Sequence, residues 1–168
     1  MTDRLRRRVL WAMPTGLYVI GSSDGERLNL MTANLVVQVA TEPKLVAVAI
    51  DASSVTVGLV RRGGCFSVSL LAREDRALVR RFVKPVPPEE VVTRDGVVLE
   101  MAGEAVELHA TGAPVVARAV AWLDCEVRHR LELGSHELCV GEVVAVGGPD
   151  ADVPAVLRME DTRMNYGG

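Results

Sequence analysis

The sequence predicts a mainly β protein whose antiparallel strands form a closed or partly closed barrel, with a few short helices at its periphery. Two neighbouring segments, "LVVQVA" and "KLVAVAI", have the length and the valine content of β-strands. A third segment, 119–133, alternates apolar and polar residues and continues through a Gly134-Ser135 turn into a return strand at 136–147. Many antiparallel strands combined with one long hairpin are typical of β-barrels.

The first third of the chain predicts a short helix followed by two pairs of strands. Residues 5–12 form an amphipathic pattern that ends before Pro14. Residues 16–32 predict a hairpin that turns at Asp24-Gly25, and Glu42-Pro43 separates the two apolar strands. Because those two strands carry apolar residues on both faces, we expect both faces to be covered.

The middle of the chain predicts two helices with a strand between them. The first helix has Asp51, Ser53 or Ser54 as its N-cap and ends at Gly63-Gly64. The strand is "CFSVSLL", and "AREDRALVRRF" predicts the second helix, with acidic residues in its first turn and arginines in its last. Residues 83–96 contain three prolines and predict a loop that covers another part of the molecule.

Composition and charge exclude several classes of protein. The 168 residues suit a single domain, 1–168, and the net charge of −3 argues against a nucleic-acid partner. No segment approaches the roughly 20 apolar residues that cross a bilayer, and the N-terminus lacks the apolar run of a signal peptide. The three cysteines are far apart and odd in number, which predicts free thiols. We therefore expect a cytoplasmic protein with no membrane partner.

The chain lacks the motifs of several enzyme classes. It has neither a G-x-G-x-x-G turn after a strand nor a phosphate-binding P-loop, which argues against those two nucleotide folds. It also lacks H-E-x-x-H and G-x-S-x-G, and its three histidines do not fall at zinc-ligand spacing with the cysteines. The sequence therefore predicts no metal site and offers no obvious parts for hydrolysis.

Two polar clusters remain as candidates for a binding site. Thr32, Ala33 and Asn34 stand at the end of one strand, and Ser53, Ser54 and Thr56 stand at the start of a helix. Free backbone N–H groups and the helix dipole favour a phosphate at such a helix start. Both clusters also have ordinary explanations, because serine caps many helices and polar turn residues often bond only their own backbone.

The order of these segments resembles that of the flavin reductase-like proteins, the FMN-binding split-barrel class. The resemblance covers residues 10–147 and rests on "MPTGLYVI", "MTANLVVQVATEPKLVAVAID", the serine-rich helix start, "FSVSLLAREDRALVRRF", "LDCEV" and "GSHELCVGEVVAV". It implies an antiparallel Greek-key split β-barrel, followed here by a tail at 148–168. It also implies a homodimer that holds FMN noncovalently near the dimer interface, with FAD as a possible replacement.

The resemblance implies a role for each residue of the two clusters and for several others. Thr32, Ala33 and Asn34 match the family's T-A-N turn, which hydrogen-bonds the flavin ring and ribityl chain, and Ser53, Ser54 and Thr56 match the segment that holds the phosphate. The remaining implied contacts are Gln38, Val39 and Ala40 along the ring, Arg81 and Lys84 near the phosphate, Phe82 beside the cofactor, and His136 near the nicotinamide.

Some of these residues have a second interpretation, and two positions depart from the family pattern. Phe82 could instead anchor the core, and His136 could be an ordinary surface residue. Leu35 stands where the family often has Ser after T-A-N, and Leu30 where Gly often precedes the Met. The absent serine would remove one hydrogen bond to flavin, worth about 1 kcal/mol.

The activity implied is reduction of flavin by NADH or NADPH, with the electrons passed onward, for example to a monooxygenase partner. This reaction needs position and electrostatics more than an acid–base pair, which agrees with the absence of hydrolytic motifs. The alternative is an FMN-binding electron-transfer protein without NAD(P)H turnover. The C-terminal tail is either frayed, or uses Arg163 and Tyr166 to cap the cofactor or to reach a partner subunit.

Overall fold

Two antiparallel sheets and two short α-helices make up the protein, of which the computed structural model describes residues 2–164. The helices are α1 (Asp3–Trp11) and α2 (Val55–Gly63). The strands in chain order are β1 (Tyr18–Ser23), β2 (Leu28–Ala33), β3 (Val36–Thr41), β4 (Lys44–Asp51), β5 (Cys65–Leu70), β6 (Val91–Arg94), β7 (Val97–Met101), β8 (Glu104–Leu108), β9 (Pro114–Val116), β10 (Ala121–Glu132) and β11 (His136–Gly147). The prediction of a mainly β, antiparallel protein with short helices is confirmed.

The larger sheet has seven strands in the order β2-β1-β5-β10-β11-β4-β3. Its two edge strands, β2 and β3, follow each other in the chain and are joined only by Asn34 and Leu35. Because two residues span only about 7 Å, the sheet must curl until its opposite edges meet at this connection. The edge strands do not pair with each other within residues 2–164.

The edge formed by β2 is covered by a segment that follows β5. The Thr32 N–H donates to the Phe82 carbonyl at 3.0 Å, and the Thr32 hydroxyl donates to the Val79 carbonyl. Further along the same edge, the Val86 N–H donates to Asn29 Oδ1 at 2.9 Å. One backbone N–H and two side chains of this edge are thereby bonded to the covering segment without another strand.

The prediction of a second α-helix at residues 72–82 is wrong. Residues 72–82 form two single turns of 3-10 helix, Arg73–Asp75 and Leu78–Arg80, instead of one α-helix. Leu78, Val79 and Phe82 are buried in the core, and the two ends of the segment bond to distant residues, since the Val79 carbonyl accepts from Thr32 and the Arg73 N–H donates to the Ala155 carbonyl. Tertiary contacts therefore override the local helical pattern.

The smaller sheet contains β6, β7, β8 and β9 and lies against the first two strands of the larger one. The loop predicted for 83–96 is wrong at its C-terminal end, because the apolar residues after Pro88 form β6 and the Asp95-Gly96 turn leads into β7. Strand β9 approaches β1 so closely that a Cβ at Gly21 would lie 1.8 Å from the Pro114 carbonyl oxygen. Glycine is therefore required at that position.

Two hydrophobic clusters fill the interior. The first lies between the two sheets and contains Leu17, Val19, Leu30, Leu71, Leu78, Val79, Phe82, Val86, Met101, Val106, Val116 and Leu157. The second lies inside the curl, closed by α2, and contains Ile20, Ala33, Val46, Val48, Ile50, Val57, Val60, Phe66, Val68, Cys125 and Cys139. The three cysteines are free and buried, and burial raises the pKa of Cys125 to about 12 and that of Cys139 to about 11. These thiols therefore stay protonated and serve as packing groups.

The expectation that both faces of the two apolar strands are covered holds for the centre of β4, where Val46, Ala47 and Val48 are buried, and is wrong for β3 in the single chain. Val37 and Val39 of β3 are 59% and 51% exposed, and Leu131 of β10 is 58% exposed. Bulges interrupt β10 beside Asp124 and after Val127, so the alternation read from the sequence does not keep one face inward. Asp124 is fully buried as a result, and it accepts from the Thr111 N–H at 2.9 Å.

The segment after β11 returns to the body of the protein. The Leu17 N–H donates to the Leu157 carbonyl at 3.1 Å, and the Leu157 N–H donates to the Leu71 carbonyl at 2.9 Å. Leu157 is fully buried between these two chain segments. Residues 155–159 therefore pack as a short strap on their own chain, whereas Tyr166 lies outside the described residues. None of the helices within residues 2–164 is long and apolar enough to cross a membrane.

Candidate functional site

Three polar segments come together around the C-terminal end of β4. On one side, the Leu35 carbonyl accepts from the Ala49 N–H at 3.0 Å, which places the Asn34-Leu35 connection beside the strand. On the other side, His136 at the start of β11 is paired with Asp51, the last residue of β4. The chain then turns directly into α2, which begins at Val55. Both polar clusters and His136 therefore lie at one end of the curled sheet.

The two serines before α2 differ in whether their hydroxyl groups are free to donate a hydrogen bond to a ligand. Ser53 uses its backbone N–H and its hydroxyl to donate to Asp51 Oδ1, at 2.8 and 2.6 Å. Ser54 is the N-cap, and its oxygen accepts from the Val57 N–H at 3.2 Å. A hydroxyl has one proton, so Ser53 has already committed its own to a carboxylate, while the Ser54 proton remains available to a ligand.

The first turn of α2 offers further donors. The backbone N–H groups of Val55 and Thr56 have no acceptor within residues 2–164, and the turn contains no acidic residue. These groups and the positive end of the helix dipole suit a phosphate. Thr56 contributes only its backbone, because its side chain is 1% exposed and accepts from Asn29 Nδ2 at 3.0 Å.

The T-A-N turn presents a single polar side chain. Thr32 is bonded to the segment covering the sheet edge, and Ala33 is buried opposite Tyr18. Asn34 is half-buried and reaches Thr15 Oγ1 at 3.5 Å, a long contact that a better partner could replace. It borders a cleft of about 550 Å³ between the end of α1, the connection at Leu35 and residues 158–164.

Gln38, Val39 and Ala40 lie away from this group. Gln38 is paired with Val46 and Ala40 with Leu45, near the opposite end of β4. The Gln38 side chain is exposed and donates to the Ala40 carbonyl at 3.1 Å, and Val39 sits in a bulge. Within one chain, the structure therefore does not bring these three residues next to Ser54 or His136.

The residues at 81–84 fall into three different environments. Phe82 is fully buried in the first hydrophobic cluster, in agreement with its interpretation as a core anchor. Arg81 forms an ion pair with Glu104 at 2.8 Å. Lys84 is exposed and lies two residues before Val86, which is linked through Asn29 to Thr56 of α2. Of the two basic residues, Arg81 and Lys84, Lys84 is therefore connected more directly to the start of α2, through Val86 and Asn29.

His136 is half-buried at the tip of the long hairpin. Its Nδ1 lies 3.0 Å from Ser135 Oγ, and its strand neighbour is Asp51. The hydroxyl of Ser53 lowers the pKa of Asp51, with smaller contributions from the Ser53 N–H and from the charge of His136. The carboxylate is therefore ionised at neutral pH.

Sequence reasoning missed a buried carboxylate beside this histidine. Glu137 is 1% exposed, and its carboxylate accepts from Arg61 Nε of α2 at 2.7 Å and from Arg130 of β10 at 3.2 Å. The hydrogen bond from Arg61 is the main cause that lowers the pKa of Glu137. The signal in the sequence was its place two residues before Cys139, on the inward face of β11. Glu137 joins α2 to the strand that carries His136.

Replacement of Glu137 by Gln is expected to destabilise the fold by about 2 kcal/mol at neutral pH, less than a wholly buried pair because both arginines are partly exposed. Since the pKa of the carboxyl is lowered in the folded state, its stabilising effect is present above the unfolded pKa of about 4.3 and is lost as the pH falls below it. Urea unfolding of both proteins across this pH range measures the difference.

The matched control is Glu142→Gln on the same strand, which removes the exposed pair with Arg128 at 2.8 Å. Its expected cost is at most about 0.5 kcal/mol. Equal losses in the two variants, or a Glu137 effect that does not diminish in acid, would contradict the assigned role.

Comparison with known proteins places this arrangement in a family. The sequence model of the flavin reductase like domain matches residues 10–167. An NADH-dependent FAD reductase from Streptomyces globisporus is 32% identical over 84% of this chain and 75% of its own. A flavin reductase (NADH) from Kitasatospora aureofaciens is 32% identical over 89% of this chain and 73% of its own.

A solved structure agrees with these relatives. BorF, the flavin reductase component of a bacterial two-component tryptophan halogenase, superposes with a TM-score of 0.74 at 25% identity, covering 89% of each chain. The match of the family model extends over nearly the whole sequence, from the segment before β1 to the strap after β11. The chain therefore belongs to the flavin reductase like domain family.

Proposed function

We propose that the protein is an NAD(P)H:flavin oxidoreductase that binds FMN noncovalently around the C-terminal end of β4. The observation that carries this proposal is the convergence of the Asn34 turn, the start of α2 and His136 at that end. The donor set fits the cofactor, because a phosphate needs N–H and O–H donors and α2 offers them without a carboxylate in its first turn.

Five residues have defined tasks in this site. Ser54 and the N–H groups of Val55 and Thr56 would hold the phosphate, and Lys84 would neutralise part of its charge. Asn34 would orient a polar edge of the ring with its amide. When bound, the flavin supplies the hydride-accepting chemistry, so the chain needs only to position the reactants and exclude water.

His136 and its neighbours would form the nicotinamide side of the site. The ring contacts the Ser135 hydroxyl, its residue is paired with Asp51, and the buried Glu137 fixes the strand on which it lies. Ser53 makes no direct contact with the phosphate in this arrangement, because its N–H and hydroxyl already donate to Asp51. His136 is thus a positioning group for the nicotinamide, and no general acid or base is required.

The reduced flavin would leave for a second protein. The relatives named above include NADH-dependent enzymes and the reductase component of a two-component halogenase, which supports NADH as the donor and a monooxygenase or similar enzyme as the acceptor. One relative reduces FAD, so FAD is a second candidate flavin. The free, buried cysteines suit a cytoplasmic setting.

Anaerobic addition of NADH to the FMN-loaded protein tests the activity. We expect the visible absorbance of the flavin to bleach over many turnovers when excess FMN is present. Parallel titration with NADPH identifies the preferred donor. Bleaching with dithionite but with neither nucleotide would instead support the alternative, an FMN-binding electron-transfer protein.

Replacement of Ser54 by Gly is expected to weaken FMN binding about tenfold, because one hydrogen bond to a charged group is lost while glycine still serves as an N-cap. Riboflavin, which lacks the phosphate, should bind the variant and the wild type equally. Isothermal titration with both ligands measures the two affinities.

Ser53→Ala is the matched control for this site. The Ser53 hydroxyl already donates its hydrogen bond to Asp51 and has none left for the phosphate. The affinity for FMN should therefore change less than about threefold. A larger effect at Ser53 than at Ser54, or an equal loss of riboflavin binding, would contradict the phosphate assignment.

We also propose that the chain forms a homodimer and that its curled sheet is a Greek-key split barrel closed with the partner's help. The outer face of β3, β4, β11 and β10 carries the partly buried Ala49, Leu138 and Val140 and, at its two sides, Val37 and Leu131, which are 59% and 58% exposed. An apolar face of this kind favours a subunit interface. Gln38 and Val39 lie on β3 next to this face. They would therefore contact only a flavin that is bound in the partner's site.

Val37→Glu is expected to raise the dimer dissociation constant at least about a hundredfold, because it places a charge in an apolar interface. Val97→Glu is the control, since Val97 is equally exposed (58%) but lies on β7 of the smaller sheet. Sedimentation velocity over a concentration series measures both. A monomeric wild type, or dissociation by both variants, would contradict the interface.

A further inference from the structure

The strap end, residues 158–164, forms one wall of the cleft beside Asn34. The end of α1 and the segment up to Thr15 form the other walls, and the cleft of about 550 Å³ has the size of a small-molecule site. Because the flavin ring is proposed to lie at Asn34, the strap end borders the place that the ring would occupy. Its residues that line the cleft are Arg158, Met159, Glu160, Thr162 and Met164.

The strap is fixed firmly only before this wall begins. Leu157 is fully buried, and its N–H and carbonyl bond to Leu71 and Leu17. Beyond Leu157, and within residues 2–164, one backbone hydrogen bond joins the strap end to the rest of the chain, from the Met159 N–H to the Thr15 carbonyl at 3.1 Å. Leu157 is therefore the position at which a movement of the strap end would begin.

An ion pair holds the strap end to the body of the protein. The Arg73 guanidinium lies 3.0 Å from the carboxylate of Asp161, which also accepts from the Arg158 N–H at 3.0 Å. The Arg158 N–H is the main cause that lowers the pKa of Asp161, and the Arg73 side chain lowers it further, so the pair is charged at neutral pH. The Arg73 N–H in turn donates to the Ala155 carbonyl. Arg73 thus contacts the strap on both sides of Leu157.

The remaining contacts of the strap end are adaptable ones. Met159 and Met164 pack against the first hydrophobic cluster but are only half-buried. Methionine is unbranched and fits surfaces of different shape, so these contacts can be broken and formed again. Across the cleft, α1 contains no buried residue. Elements with so few buried contacts open at a lower free-energy cost than the strands of the core.

We propose that the strap end is a lid over the flavin ring, latched by the ion pair between Arg73 and Asp161, which opens to let flavin enter and leave. A reductase whose reduced flavin acts in a second protein must release it, and a lid permits this without unfolding. In the closed position Met159 and Met164 cover the cleft and keep water from the ring. This inference rests on the proposed function for the identity of the ligand.

A purely structural strap is the rival interpretation. Leu157 already fills the gap between β1 and the segment after β5, because it is buried and bonded to both. The latch lies beyond this point, and its Arg73 side chain is 47% exposed. An exposed ion pair contributes little to global stability, so its removal should release the strap end and leave the rest of the fold intact.

The test is Arg73→Gln, which removes the charge but keeps the N–H that bonds Ala155. In the flavin-free protein, we expect the Met159 amide proton to exchange with solvent about threefold faster. In the FMN-loaded protein, we expect FMN to dissociate about threefold faster in stopped-flow traces and its fluorescence to be quenched more strongly by acrylamide. Asp161→Asn removes the same pair from the other side, while its amide oxygen can still accept from Arg158, and it should reproduce these changes.

Arg118→Gln is the matched control. Arg118 pairs with Asp75 on the same 3-10 turn as Arg73 and is similarly exposed, at 56%, but it does not touch the strap. Its removal should change both rates less than about 1.5-fold.

The outcomes separate this inference from the proposed function, because hydrogen exchange is measured without flavin. Faster exchange at Met159 in a protein that does not bind FMN supports the latch, and only the proposed flavin site falls. Unchanged exchange in Arg73→Gln, an equal effect of Arg118→Gln, or faster exchange throughout the large sheet overturns the latch. Faster exchange at Met159 with unchanged dissociation and quenching of FMN overturns the lid while leaving flavin binding intact.

Discussion

The connection of two residues between the opposite edges of the seven-stranded sheet is the constraint on which the rest of the structure depends. Asn34 and Leu35 can join β2 to β3 only if the sheet curls upon itself. The curl encloses the second hydrophobic cluster and brings the T-A-N turn beside the end of β4. In a flat sheet of the same strands, Thr32 and Ala33 at the end of β2 would lie at the opposite edge of the sheet from β3 and β4.

Buried polar contacts then decide which groups remain free to meet a ligand. Asn29 binds both Thr56 and Val86, and Glu137 binds both Arg61 and Arg130, so α2 is fixed to the sheet at two places. Because these side chains satisfy one another inside the protein, the helix start presents only the Ser54 hydroxyl and backbone N–H groups. A phosphate site beside a stacked ring requires a small set of free donors of this kind.

Much of this local structure could be predicted from the sequence, because it is specified by residues that are near one another. Pro14 and Gly64 end the two helices where expected, and the Asp24-Gly25 and Gly134-Ser135 turns join their strands as expected. The pattern at 72–82 misled because contacts distant in the chain, such as the bond from Thr32 to the Val79 carbonyl forty-seven positions away, set the conformation of that segment. The strap at Leu157 and the Glu137 pair could not be predicted, since each depends on a partner distant in the chain and not on periodicity. Where FMN would contact the chain was predictable only from the family resemblance.

The central claim is that Asn34, the first turn of α2 and His136 form one flavin site, and a titration of the isotope-labelled protein with FMN followed by amide NMR tests it directly. The account predicts that the amide signals of Asn34, Val55, Thr56 and His136 shift together with a single dissociation constant, and that the Val55 and Thr56 protons move downfield as they bond the phosphate. Shifts at the helix start without shifts at Asn34 and His136, or different constants for the three segments, would contradict it.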